Sequence, residues 1–443
     1  MAFNTQADEI NAIIEKHNPK IMRVLSQKGK SAYFPSKGIL AQTAAAQNCK
    51  INATIGIALE EDKTTACLPS LAGLARLEGL AAFQYAPPTG IPELRELWKK
   101  MMFGKNPTLA KAAENEDAQI SLPVVTSALT HAIYIAAQMF LDSGDEVILS
   151  DFFWENYDLA LCRSTGAKQL NFDTFSDDKK YNLQGLKNAL SNGKAGKKVL
   201  LLNFPNNPTG YTPTIEEAKK ICEILTDEAK RGSEIAVIVD DAYFGLVFEE
   251  GIFEESLFSL LANAHENILA IKIDGPTKED YAWGLRTGFL TFGVKGGKKE
   301  LYSALEQKVA GFVREQISSA SKMSQALLVS AYNQKTYAEE KREKFELIKK
   351  RYDKIKGILT ANDAYFDFFE PLPFNSGYFM CIKPLKGIDA ESLRVLLAEK
   401  YSVGLVQLQG LLRIAFSSTP TDELQTVFES IYLSCKELIA KKG

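Results

Sequence analysis

The stretch "KKVLLLNFPNNPTGYTPTIEEAKKICEILTDEAKRGSEIAVIVDDAY", Lys197–Tyr243, reads as a strand, a helix and a second strand. "KKVLLLNFP" (Lys197–Pro205) and "IAVIVDD" (Ile235–Asp241) are continuously apolar, the pattern of strands covered on both faces. Between them Thr212 can cap a helix, Pro213 suits its first position, and Gly232 ends it. Ile215, Ala218, Ile221, Ile224 and Leu225 give that helix one apolar stripe.

The same alternation continues on both sides of this stretch. Further strands are predicted at Leu122–Ser127, Asp145–Asp151, Ile268–Asp274 and Thr287–Gly293, with longer segments between them. Strands alternating with helices imply an α/β domain with a largely parallel sheet. The flanks differ. An amphipathic helix is predicted around Ile10–Leu25. After about residue 335 comes a long charged helix with Phe345, Ile348, Tyr352 and Ile355 on one side. Two strands (Ser376–Pro384, Gly410–Ser417) and two helices (Glu391–Lys400, Asp422–Lys441) follow. The chain of 443 residues thus divides into an N-terminal arm with part of a small domain (1–64), a large domain (65–334) and a small C-terminal domain (335–443). The two ends are expected to form one small α+β domain.

Composition sets the class. A hydrophobic content of 46% is ample for a core, and 52 Lys plus Arg against 55 Asp plus Glu leave a net charge of −3. That balance provides no attraction for nucleic acid or an anionic membrane. No apolar run reaches membrane-spanning length, and the N-terminus lacks a secretory leader. The six cysteines are unpaired in spacing and read as reduced thiols of a cytoplasmic protein. Three scattered histidines argue against a metal site.

In parallel α/β sheets ligands gather beyond the carboxyl ends of the strands. Asn207 stands there in "NFPNNPTG", which taken alone is also ordinary turn chemistry. Asp240 and Asp241 close a wholly apolar strand, with Tyr243 beyond; a carboxylate in that place is costly without a cationic or proton-donating partner. Lys278 follows the next strand in "IDGPTKEDYAWGLRTGF", with Arg286 eight residues later. A lysine in a partly buried cleft can act as nucleophile, and an arginine can clamp an anion.

In order and spacing, "NNPTG", "DDAY" and a lysine with arginine eight residues on closely resemble the class I and II aminotransferases, similar to the aspartate and aromatic enzymes. These are transferases of fold type I that depend on pyridoxal 5'-phosphate (PLP), and the resemblance runs from Gly56 to Arg413. It implies that Lys278 forms the Schiff base with PLP and then moves the substrate proton. Asp240 would pair with the pyridine nitrogen, so that the ring acts as an electron sink. Asn207 and Tyr243 would bond the phenolic oxygen. Arg286, Thr277, Thr130 and the backbone of Ala128 and Leu129 would hold the phosphate. Trp154 in "DFFWENYD" would stack on the ring. Tyr85 in "QYAPPTGIPELREL" would reach the phosphate of the neighbouring subunit, which makes the chain a homodimer. Arg413 in "LLRIAFS" would bind the substrate α-carboxylate, with Gly56 bringing backbone close and Asn207 beside it.

The chain departs from those relatives at three places. Gly275 stands where many carry serine on the phosphate. The phosphate cup, Ala128-Leu129-Thr130, has fewer hydroxyls. Tyr157 replaces a histidine behind the aspartate, where it can still bond Asp240. Arg314 in "FVREQISSAS" aligns near the arginine that reads a side-chain carboxylate across the dimer interface, and reads equally as a helix-surface residue. Tyr33 and Phe34 offer aromatic walls for an aromatic substrate instead. The resemblance therefore implies exchange of an amino group between a dicarboxylic or aromatic L-amino acid and a 2-oxo acid, by a ping-pong route. A PLP lyase catalysing β-elimination or decarboxylation is the alternative on the same fold. A catalytically silent sensor is disfavoured, because it would not need Lys278, Asp240, Arg286 and Arg413 together.

Overall fold

A computed structural model describes residues 4–17, 25, 30, 39–73, 84–114, 120–193 and 195–441. Its strands are β1 (Ile51–Asn52), β2 (Val124–Ser127), β3 (Glu146–Ser150), β4 (Lys168–Phe172), β5 (Lys197–Asn203), β6 (Glu234–Asp240) and β7 (Ile268–Asp274), continuing with β8 (Thr287–Gly293), β9 (Phe369–Pro371), β10 (Phe379–Pro384), β11 (Val403–Gly404), β12 (Val406–Leu408) and β13 (Leu411–Ala415).

Seven of them form one sheet in the order β2-β8-β7-β6-β5-β3-β4. All its pairings are parallel except those of β8, which runs against both β7 and β2. The continuous apolar runs are explained by burial on both faces. Along β5, Val199 and Leu201 enter one core while Leu200 and Leu202 enter the other. The strand β4 was not foreseen, because "KQLNF" is an edge strand whose residues are mostly part-exposed before Phe172.

The helix after β5 is Ile215–Lys230, and its cap corrects the sequence reading. Thr214, not Thr212, accepts from Glu217 N, while Glu217 Oε2 accepts from Thr214 N at 2.8 Å. This reciprocal pair satisfies two otherwise orphan donors, so the helix starts there. Thr212 is instead buried, its N–H bonded to Asn375 Oδ1 at 2.9 Å. The buried stripe is Ala218, Ile221 and Leu225, whereas Ile215 in the first turn is exposed.

A four-stranded antiparallel sheet, β12-β13-β10-β9, stands beside the large one. The short β1 pairs in parallel with β11, so residues from both ends of the sequence meet. The 24-residue helix Tyr337–Thr360 buries Ile348, Tyr352 and Ile355, and these join Leu412, Ile414 and one face of the large sheet in a single core. The N-terminal helix is Thr5–His17; most of the predicted remainder up to Leu25 lies outside the described residues. No helix among the described residues is long and apolar enough to cross a membrane.

Candidate active site

The register of the central strands sets the site. Asn203 at the end of β5 pairs with Asp240 at the end of β6, and Asp240 with Ile273 of β7. Side chains that leave these three ends converge on one space. A cavity of ≈ 320 Å³ is lined there by Lys278, Asp240, Tyr243, Asn207, Trp154, Tyr157, Leu129, Thr130, Gly56 and Arg413, among others.

Asp240 is 2% exposed. Burial pushes its carboxyl above the ordinary range, opposed by the hydrogen bond from Tyr157 and by the charge of Lys278. The Tyr157 hydroxyl donates to Oδ2 at 2.5 Å and Ala242 N to Oδ1 at 3.0 Å. The phenol itself is pushed well above its usual range by burial and then by Asp240, so it remains a donor. Lys278 leaves the one-turn helix Pro276–Glu279, its Nζ 4.9 Å from the centre of the Tyr243 ring. Burial drives this amine below its ordinary value; Asp240 pulls it up and Arg286 pushes it down.

Arg413, on β13 and 3% exposed, forms the opposite wall. Its Nη1 donates to Asn207 Oδ1 at 3.1 Å and its Nη2 to the Thr54 carbonyl at 3.2 Å, and its guanidinium lies 4.2 Å from the Phe379 ring centre. Its Nε has no hydrogen-bond partner although buried. A guanidinium held so, with an unused donor, is prepared for an anion.

Ala128 adopts a left-handed φ of 65° at the start of the helix Ala128–Phe140, and its N–H bonds to the Arg286 carbonyl at 2.9 Å. The turn rests on two glycines. A Cβ on Gly288 would lie 2.5 Å from the Ala128 carbonyl carbon. One on Gly275 would lie 2.8 Å from the Thr287 oxygen and 2.9 Å from Leu129 Cδ1. The departure at Gly275 therefore has a steric cause: the Thr287 carbonyl and the Leu129 side chain together fill the room that a serine would need. Thr277 Oγ1 is buried without a partner.

These residues fit a PLP molecule. Lys278 and Arg413 outnumber Asp240 among the charged residues around the cavity, which suits an anionic guest. The helix N-terminus at Leu129 and Thr130 and the unsatisfied guanidinium Nε of Arg413 add donors of the kind that phosphate and carboxylate require, whereas Ala128 and Thr277, whose buried hydroxyl also has no partner, do not line the cavity.

The family profile described as aminotransferase class I and II matches residues 50–431. The chain belongs to the class I and II aminotransferases. It is a PLP-dependent transaminase by family. It is 29% identical over 327 residues to a probable N-acetyl-LL-diaminopimelate aminotransferase of Bacillus subtilis (strain 168), covering 73% of this chain and 72% of that one. It is 25% identical over 279 residues to an aspartate aminotransferase of Bacillus sp. (strain YM-2), covering 62% and 64% respectively. A solved aminotransferase from Anaerococcus prevotii superposes with a TM-score of 0.79 at 23% identity, covering 93% of this chain and 98% of that one. That likeness speaks for the fold alone: fold type I with a mostly parallel central sheet.

Some expected residues of this aminotransferase lie apart from the cavity. Arg286 is exposed with left-handed backbone, and does not border it. Tyr85 is 91% exposed, and Arg314 sits on the exposed side of the helix Lys299–Ile317. Gly56 lines the cavity without strain, since a Cβ there would meet only Phe379 at 3.6 Å. Tyr33 and Phe34 lie outside the described residues.

Other site residues escaped the sequence reading. Asn203 donates to the Asp240 carbonyl at 2.9 Å and accepts from Asn207 N at 2.9 Å. It was legible by the same sign as Asp240, a polar residue closing an apolar strand. Thr54 and Phe379 frame Arg413, and Ile39 and Thr43 roof the cavity from the helix Ile39–Ala45. These four carried no local signal.

Proposed function

We propose that this transaminase binds PLP on Lys278 and exchanges the amino group between an L-amino acid and a 2-oxo acid by a ping-pong route. The observation that carries the reading is the convergence of Lys278, Asp240, Asn207, Tyr243 and Arg413, from four separate segments, on one cavity. When bound, the cofactor supplies an electron sink for the charge left on the substrate α-carbon after proton removal. Asp240, held by hydrogen bonds from Tyr157 and Ala242, would face the ring nitrogen. Asn207 and Tyr243 would donate to the phenolic oxygen, and Trp154 would cover the ring. Ala128, Leu129, Thr130, Thr277 and Arg286 would hold the phosphate, joined by Tyr85 of a second copy in a homodimer; the exposure of Tyr85 leaves it free to reach across.

The chain's own chemistry is binding and proton transfer. Arg413 holds the α-carboxylate in a two-donor fork and so fixes which bond at the α-carbon faces Lys278. Lys278 Nζ, its basicity lowered by burial, would take the α-proton as base and then, as the conjugate acid, deliver it to the cofactor. Residues 65–334 would form the cofactor-bearing unit and both termini the part that carries Arg413. The donor is read as dicarboxylic or aromatic, and Arg314 is assigned to the side-chain carboxylate in the partner's cavity.

The test is stoichiometry. PLP-loaded protein given an L-amino acid without acceptor should release one equivalent of 2-oxo acid per chain and stop, resuming when a 2-oxo acid is added. Continuous release of ammonia or carbon dioxide without acceptor would assign lyase chemistry instead.

A further inference from the structure

Directly after Lys278 come two buried carboxylates that the chemistry above does not use. Glu279 is 4% exposed and Asp280 0%, and neither lines the cavity. Glu279 Oε1 is bonded by Lys105 Nζ and, at 2.5 Å, by Lys341 Nζ. Asp280 accepts from the hydroxyls of Tyr332 at 2.8 Å and Tyr337 at 2.6 Å, and lies 3.2 Å from Lys341 Nζ.

The other end of the same segment is tied to the same helix. Lys105 closes the helix Pro92–Lys105, and Trp98 of that helix donates Nε1–H to Asp274 Oδ1 at 3.1 Å. Two side chains seven residues apart, about two helical turns, therefore hold both ends of Asp274–Glu279, the segment that carries Lys278. A third tie reaches Lys278 itself: the Tyr378 hydroxyl donates to its carbonyl at 3.1 Å. Lys341 belongs to the long helix Tyr337–Thr360 and Tyr378 precedes β10, so the turn is gripped from outside the large sheet as well.

A buried ion pair is weak as a stabiliser, since apolar residues of like volume often serve equally well. What the pairs around Glu279 provide is a fixed geometry, because charge and hydrogen-bond direction both constrain the turn. We propose that Glu279 is a positioning residue: through Lys105 and Lys341 it fixes the turn that aims Lys278 Nζ into the cavity. The proposal rests on the role assigned to Lys278. It predicts that loosening this anchor slows proton transfer without weakening substrate binding.

The experiment compares Glu279→Gln with Glu228→Gln. Glu228 is also buried, bonded to Arg231 at 2.6 Å and Ser233 at 2.5 Å, but lies on the helix Ile215–Lys230 away from the cavity. Two readouts are taken: amide hydrogen exchange of the peptide 274–282 in cofactor-free protein, and the single-turnover rate with PLP and an amino donor. Both variants should lose similar melting temperature. Glu279→Gln alone should speed exchange of that peptide roughly 10-fold or more. It should also slow the single turnover about 10- to 100-fold, with the half-saturating donor concentration changed less than about 3-fold. If Glu279→Gln does not fold, Lys341→Met carries the test, with slowing of about 3- to 10-fold. Exchange and turnover equal to those of Glu228→Gln, in whichever variant folds, overturn the proposal. An inactive wild-type protein would instead refute the function reading, and the exchange comparison would still stand.

Discussion

The Tyr157 hydroxyl and the Asp240 carboxylate meet at 2.5 Å in the wall of the cavity, a neutral donor facing an acid whose carboxyl burial pushes above its ordinary range. The bond favours the charged acid, the state needed to keep a bound pyridinium protonated. A hydrogen bond to a charged group contributes about 1.5–3 kcal/mol. Tyr157→Phe should therefore weaken PLP binding roughly 10- to 100-fold, measured by fluorescence titration of the apoprotein. Unchanged affinity would remove Tyr157 from the account.

Lys278 makes a pH prediction. Its amine titrates below the ordinary lysine value in the folded apoprotein, because burial outweighs the attraction of Asp240. Between that lowered pKa and the unfolded value of about 10.4 the unfolded chain binds more protons. This group's contribution to stability therefore rises with pH through that window and is constant below it. The pH dependence of Lys278 acetylation in apoprotein reports the shift. Asp240→Asn removes a charge that raises the pKa and should lower it further, whereas Arg286→Gln should move it up.

Gly275 supplies a packing prediction. Gly275→Ser places a Cβ 2.9 Å from Leu129 Cδ1 and 2.8 Å from the Thr287 oxygen, an overpacking that costs about 1–3 kcal/mol. Denaturant midpoints should fall accordingly. Adding Leu129→Ala should recover part of the loss, a coupling that a double-mutant cycle measures. Additive losses would mean that Leu129 is not the obstacle.

How far the sequence carries a reader depends on whether a local pattern names the partner. Asp240 and Lys278 were legible because a charged or reactive residue ending an apolar strand requires an explanation. The strands β5 to β8 were legible because their runs are apolar on both faces. The edge strand β4 had no such run, and Thr214 was hidden behind Thr212 and Pro213, which imitate a cap. Thr54 and Phe379 join Arg413 only through contacts 359 and 34 residues away in sequence, which no local spacing announces.

In the proposed function, substrate recognition would divide between two arginines. Arg413→Gln removes the charged fork and should raise the half-saturating concentration of every amino donor roughly 100-fold, from about 3 kcal/mol of lost charge-assisted bonding. Arg314→Ala should raise it roughly 10-fold for dicarboxylic donors and leave aromatic donors unchanged, because an added charged contact contributes about 1.5 kcal/mol. Steady-state kinetics with both donor classes checks this. An equal effect on the two classes would place Arg314 outside recognition.

The most direct measurement is chemical. Protein saturated with PLP is reduced with borohydride, digested and mapped by mass spectrometry. One phosphopyridoxyl group per chain is expected, on Lys278, lost in Lys278→Ala. A label on another lysine, or none on Lys278 at saturation, would contradict this assignment.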